Sequence, residues 1–295
     1  MITVQLFFAA LLIGPLLWGV FNLFKYKDVS VPKPHNWCYT MINSAVMYAI
    51  AFNLIFFLQE LFLVLGKKAL GLTAFLYHNN HTWEGEHPMV LLMQGSGAAS
   101  IFLIGVICIV IYRLIINSQS NLKIVVLWLA FHGLIQSLPQ VTIAYLAPHT
   151  DVGEALIAYL NLSKTTLIAM SITAVIAIVV ICGWFSRQLL NIASEDVSLM
   201  KAKEKLKYIR FIAVGPALIG SILIVPFRIP PINQAITPFI VFAVSIPWVW
   251  SSAAVAKPIR NTSNRINEKI HWGPIVFFIV LLLFFQLVLA PGVKF

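Results

Sequence analysis

Eight apolar runs, each close to the roughly 20 residues that cross a bilayer core, alternate with short polar links along this 295-residue chain. They read as residues 3–24, 43–66, 89–112, 124–147, 165–186, 209–227, 236–256 and 273–291. Lipid offers backbone N–H and C=O groups no partner, so each run must be a helix or a strand of a closed barrel. Barrel strands alternate apolar and polar residues, and these runs are continuously apolar. The expected fold class is therefore all-α, a polytopic transmembrane helix bundle of about eight spans. With 60% hydrophobic and 10% charged residues, the chain carries far less charge than the roughly one quarter typical of soluble domains. The first run lacks the basic residues and the small-residue cleavage site of a signal peptide, which makes it an expected membrane helix.

Charge distribution gives the orientation. Numbering the links alternately, one side collects fifteen of the twenty Lys and Arg residues and the other holds Lys67, Lys68, Lys164, Arg228 and Lys294. The basic side is the cytoplasmic one, so both termini are expected on the non-cytoplasmic side of a plasma or bacterial inner membrane. The net charge of +10 then belongs to loops facing anionic lipid and calls for no nucleic acid. Expected partners are membrane lipids and other membrane proteins. The longest basic loop divides the chain into a five-span front half (1–186), the loop itself (187–208) and a three-span back half (209–295). Within it, Glu195 to Lys207 has acids early and lysines late, a pattern suited to a helix dipole. Cys38, Cys108 and Cys182 lie far apart and predict no disulfide framework.

The outer link from Leu76 to Pro88 is the most distinctive segment, with His78, His81, Glu84, Glu86 and His87 within ten residues. Zinc and other divalent transition metals take imidazole and carboxylate ligands. His78, His81 and His87 can supply three, with Glu84 or Glu86 as a fourth; the other reading is a polar, tryptophan-anchored interfacial loop whose histidines face water. A second outer cluster, His149, Asp151 and Glu154, lies beyond the fourth span. Asn80-His81-Thr82 and Asn161-Leu162-Ser163 fit the glycosylation acceptor pattern.

Glu60 is the carboxylate inside a span, and such a group faces the bundle interior or a water-filled cavity. Asn53 stands seven residues earlier on nearly the same helix face, beside Gln59 in the next turns. His132, Gln136 and Gln140, at i, i+4 and i+8, form a polar stripe on the fourth span. The third span opens with Gln94 to Ser100, small residues that let helices approach closely. A shared polar interior among spans two, three and four is expected, serving either function or interhelical hydrogen bonding.

The order Gln59-Glu60-Leu61-Phe62-Leu63, histidine link, Gln94-Gly95-Ser96-Gly97, then Thr150-Asp151-Val152-Gly153 resembles the core of site-two-type intramembrane metalloproteases, over residues 50–165. The resemblance implies that Glu60 is the general base and Asp151 a metal ligand. The chain departs from the family where Gln59 and Leu63 replace both zinc-binding histidines, where Asp-Val-Gly replaces Asp-Gly, and where the charge count runs the Glu60 helix outward. Three functions follow as expectations. One is an outward-facing polar or metal site, with zinc or another divalent metal on His78, His81, His87 and Asp151 and Glu60 taking a proton from bound water. Another is a transporter or channel lined by Asn53, Glu60, His132, Gln136 and Gln140. The last is a non-catalytic subunit of a larger membrane complex.

Overall fold

The computed structural model describes residues 2–25, 37–115, 120–193, 201–257 and 269–295. Lys27, Lys33, Arg260, Arg265 and the Glu195–Met200 part of the expected loop helix lie outside the described residues. The chain forms a helical bundle. Its helices are α1 (Ile2–Lys25), α2 (Trp37–Ala69), α3 (Val90–Met93), α4 (Ser96–Leu114), α5 (Ser120–Ile143) and α6 (Asp151–Gly153). They continue with α7 (Lys164–Asn191), α8 (Ala202–Ile209), α9 (Gly215–Arg228), α10 (Thr237–Ser252) and α11 (Trp272–Phe284). Among the described residues seven helical stretches are long and apolar enough to cross a membrane, α3 running on into α4 and α8 into α9. They match the second to eighth apolar runs, and the first run forms α1. This is a multi-pass membrane protein.

The core is built by α2 and α5, whose apolar windows are the most deeply buried of the seven. Tyr48, Phe52, Trp128, Phe131 and Phe185 meet there with no more than trace exposure. Glycines set the closest approaches. A Cβ on Gly133 of α5 would lie 2.7 Å from Ile101 O and 2.8 Å from Gly105 Cα of α4, so the two backbones touch as small residues in membrane helices allow. A Cβ on Gly97 would meet Leu63 Cγ at 2.7 Å and Gln59 O at 2.9 Å, which holds the start of α4 against α2 beside Glu60.

Contacts between links sort the bundle into two ends. At one end Asn43 bonds to Lys269 O, Asn121 to His271, and Lys205 to Ala256 O. At the other end a small sheet closes the bundle, with strand order β2-β1-β3. Strands β1 (Thr73–Leu76) and β2 (His81–Glu84) pair antiparallel, Thr73 opposite Glu84 and Leu76 opposite His81. The carboxy-terminal β3 (Val293–Lys294) adds to the far edge of β1. The link between the second and third apolar runs forms this hairpin, and the fold remains the expected helical bundle. Thr, Phe, Tyr and Trp favour strands, and Tyr77 N–H bonds to Asn80 O at 2.8 Å to close the turn. Gly71, at φ 79°, supplies the left-handed residue that ends α2 and aims the chain into β1.

Candidate functional site

The last turns of α2 point Glu60 and Lys67 at the sheet. They stand seven and fourteen residues after Asn53, so one helix face carries all three. The hairpin brings His81 back over this face. His81 Nδ1 lies 2.8 Å from Glu60 Oε2, and Nε2 lies 3.1 Å from Gln94 Oε1. Glu60 is 5% exposed and His81 7%, so little water screens the pair. Lys67 Nζ donates to the same Gln94 Oε1 at 2.7 Å, and Gln94 Nε2 donates to Glu154 Oε2 at 3.1 Å. Trp83 forms a wall, stacked on His81 at 6.0 Å and 4.5 Å from the Lys67 ammonium.

These bonds fix where protons sit. An ammonium can only donate, so Lys67 selects the oxygen of the Gln94 amide, and the Glu154 carboxylate selects its nitrogen. His81 Nε2 faces that oxygen and must therefore carry a proton. A second proton occupies the contact between Nδ1 and Glu60, on one partner or the other. The site is an acid–base pair with a defined outer tautomer.

Asp151, at the start of α6, interacts electrostatically with His81, Glu60, Lys67 and Glu154. Burial raises its carboxyl above the usual carboxylate range; His81 and Lys67 pull it down, while Glu60 and Glu154 push it up. Arg228, at the end of α9, is fully buried and attracted by the Glu60 charge. The turn of the hairpin locks onto the same region. Asn79 Nδ2 donates to Arg228 O at 2.7 Å and Pro230 O at 2.9 Å, and His78 Nε2 donates to Pro230 O at 2.8 Å.

The polar residues expected inside the bundle continue beneath this cluster. Gln140 Nε2 donates to Gln59 Oε1 at 2.9 Å and to Gln136 O at 2.9 Å. Gln136 Nε2 reaches Phe52 O at 3.3 Å. Asn53 Nδ2 bonds within its own helix to Ala49 O, and its Oδ1 has no partner among the described residues. His132 lies about 12 Å along α5 from Gln140, at 1.5 Å per residue. It is fully buried among Tyr48, Phe52, Trp128 and Phe131, and neither ring nitrogen has a partner among the described residues.

The proposed metal ligands are not gathered. His78 is committed to Pro230, His81 to Glu60 and Gln94, and His87 Nδ1 accepts from Met89 N–H. Glu84 and Glu86 are exposed. Among the described residues no group of three or more His, Cys, Asp or Glu side chains stands ready to hold an ion. Residues close in sequence were separated by the hairpin, which turns each histidine toward a different partner. Lys67, Gln94 and Arg228 were missed as site members. The seven-residue spacing from Asn53 through Glu60 to Lys67 is the signal that would have found the first.

No family model, curated protein or solved structure matches the chain. Function rests on the site. A separate cleft of about 480 Å³ opens between α4, α5 and α7, lined by Ala98, Phe102, Leu138, Val141, Leu156 and Met170. It is apolar and holds none of the acid–base groups.

Proposed function

We propose that this chain is a proton-linked permease of eight spans, with both termini on the non-cytoplasmic side of a plasma or bacterial inner membrane. The Glu60–His81 pair is its proton site and faces outward. The observation that carries this reading is His81 bridging Glu60 and Gln94 in near-complete burial. A buried acid–base pair at the mouth of a membrane bundle can take up a proton beyond the one it shares, and give it up again. Ionisable groups within membrane bundles mark ion and proton pathways.

The polar file beneath supports a route inward rather than simple glue between helices. Interhelical glue leaves its hydrogen-bonding atoms satisfied, since an unpaired polar atom in an apolar core is costly. Asn53 Oδ1 and both His132 nitrogens are unpaired among the described residues, which suits groups that take a partner only in passing. The bias of basic residues supports the outward assignment.

Proteoliposomes containing a trapped pH indicator test the proposal. Sugars, neutral amino acids and monocarboxylates are added outside in turn, against protein-free vesicles as baseline. One solute class is expected to drive proton movement above baseline, and Glu60→Gln to abolish it. Baseline rates with every class, from protein shown to be correctly folded, would overturn the permease.

A further inference from the structure

Arg228 ends α9 with no exposed surface, an expensive place for a guanidinium. Its Nη1 donates to Asn79 Oδ1 at 3.3 Å. The Phe56 ring lies 3.4 Å from Cζ and the Phe52 ring 5.1 Å. Amide and rings fix the plane of the group. They leave Nε and Nη2 without partners among the described residues. That edge is the fork whose two parallel N–H groups match the two oxygens of a carboxylate. A fork held in this way, with both N–H groups unpaired among the described residues, has the geometry to take two oxygens of one ligand.

From this geometry we infer that the Nε–Nη2 edge of Arg228 binds the carboxylate of a small monocarboxylate anion, the solute carried with the proton. The inference rests on the permease reading and names its substrate class. Phosphate also fits a guanidinium fork, but charge decides against it. Glu60 lies close enough to act on Arg228 and repels the phosphate dianion present at neutral pH more than a monoanion. Phe52 and Phe56 offer an apolar wall that suits a hydrocarbon stem.

The same arrangement couples anion to proton. Glu60 on α2 attracts Arg228 and so competes with an incoming carboxylate for it. A proton added to the Glu60–His81 pair removes that competing charge. His78, in the hairpin turn, adds to the linkage. Its Nε2–H is held by Pro230 O, and its Nδ1 lacks a partner among the described residues. Burial holds the imidazole below its ordinary pKa; the Pro230 bond opposes this and the Arg228 charge reinforces it. An anion on Arg228 offsets that positive charge and eases proton uptake at His78. Lys67, Asp151 and Glu154 stand beyond His81 and complete the charged surroundings.

The test is calorimetric titration of the full chain in detergent with sodium propionate, inorganic phosphate and sodium chloride at pH 7.5 and 5.5. Propionate is expected to bind, and to bind more tightly at the lower pH, by up to about tenfold per pH unit for one linked proton. Arg228→Lys keeps the charge and loses the fork, and is expected to weaken propionate at least about tenfold. Glu60→Gln removes the competitor and is expected to tighten propionate at pH 7.5 and reduce the pH dependence; this variant keeps the test decisive if Arg228→Lys fails to fold. No propionate heat at either pH, phosphate in preference to propionate, or a Glu60→Gln variant unchanged in affinity and pH dependence would each overturn the site. Proton movement driven by another solute class would leave the permease standing without this site. Propionate binding without any proton movement would leave the site standing without the permease.

Discussion

The Glu60–His81 contact makes the sharpest quantitative demand on experiment. At 2.8 Å and an effective dielectric constant of 20, two unit charges attract by about 6 kcal/mol. Most of that is offset by the loss of water around both groups. What survives in a charge-assisted hydrogen bond is about 1.5–3 kcal/mol, and the near absence of exposed surface on either partner argues for the upper half. A double-mutant cycle with Glu60→Leu and His81→Leu isolates this quantity. Each single change leaves a buried partner unpaired and is expected to cost about 3–5 kcal/mol. The double variant should cost less than the sum by about 2–3 kcal/mol. The Glu60–Arg228 attraction and the His81–Gln94 bond are each lost in one single and in the double, so they cancel from the coupling. The assay is reversible unfolding in mixed micelles of increasing SDS content. Additivity within about 0.5 kcal/mol would mean that the two side chains do not share a proton-binding unit, and the proton-site reasoning would fail with it.

Three further outcomes follow from the same geometry. The Asp151 carboxyl is raised by burial, so the fold favours its protonated form, and the stability it contributes is lost as pH rises through the raised value. Asp151→Asn should therefore stabilise the protein at neutral pH, with the gain vanishing in the ordinary carboxylate range, as read by thermal unfolding from pH 7.5 to 3.5. His78 is lowered, burial being the largest cause, so its contribution is present above about pH 6.5 and is lost as pH falls; His78→Gln should flatten the loss of melting temperature between pH 6.5 and 5. Gly133→Ala puts a methyl against the α4 backbone at 2.7–2.8 Å and should cost about 1–3 kcal/mol in the SDS titration, whereas Gly14→Ala, which meets nothing within 4 Å inside α1, should cost nothing and gain up to about 1 kcal/mol of helix propensity.

What the sequence made legible is what helical periodicity controls. Asn53 and Glu60 were readable as one face of α2, and His132, Gln136 and Gln140 as one face of α5. The shared polar interior expected among spans two, three and four is realised where Gln140 bonds to Gln59, next to Glu60. What stayed hidden depends on the far end of a side chain. The histidine-rich link has the ligand types of a metal site, but four-residue strands flanking a tight turn are too short to announce themselves. Their alternation turns His81 toward Glu60, while the turn gives His78 to Pro230. Arg228 reads as a loop charge at the end of an apolar run, and it is buried by contacts no spacing announces, the Phe52 and Phe56 rings of α2 and Asn79 of the hairpin.

The contrast between the two halves of the polar interior is where structure and function meet. Above, both ring nitrogens of His81 have partners, and Glu60, Gln94, Lys67 and Glu154 form a connected chain of bonds, which fixes the Nε2 proton and holds the side chains in place. Below, Asn53 and His132 are buried with atoms left unpaired among the described residues, and beside the cluster the Arg228 fork is likewise unpaired. A bundle selected for stability alone would replace His132 with a leucine or phenylalanine, since apolar residues of similar size avoid the desolvation of two ring nitrogens. His132→Phe separates the two explanations. If the imidazole serves a passing proton, the variant should unfold at higher SDS than the parent protein and lose proton movement in liposomes while keeping the Glu60–His81 coupling energy. A variant that is destabilised, or that moves protons at the parental rate, would return His132 to a purely structural role and with it the inward route.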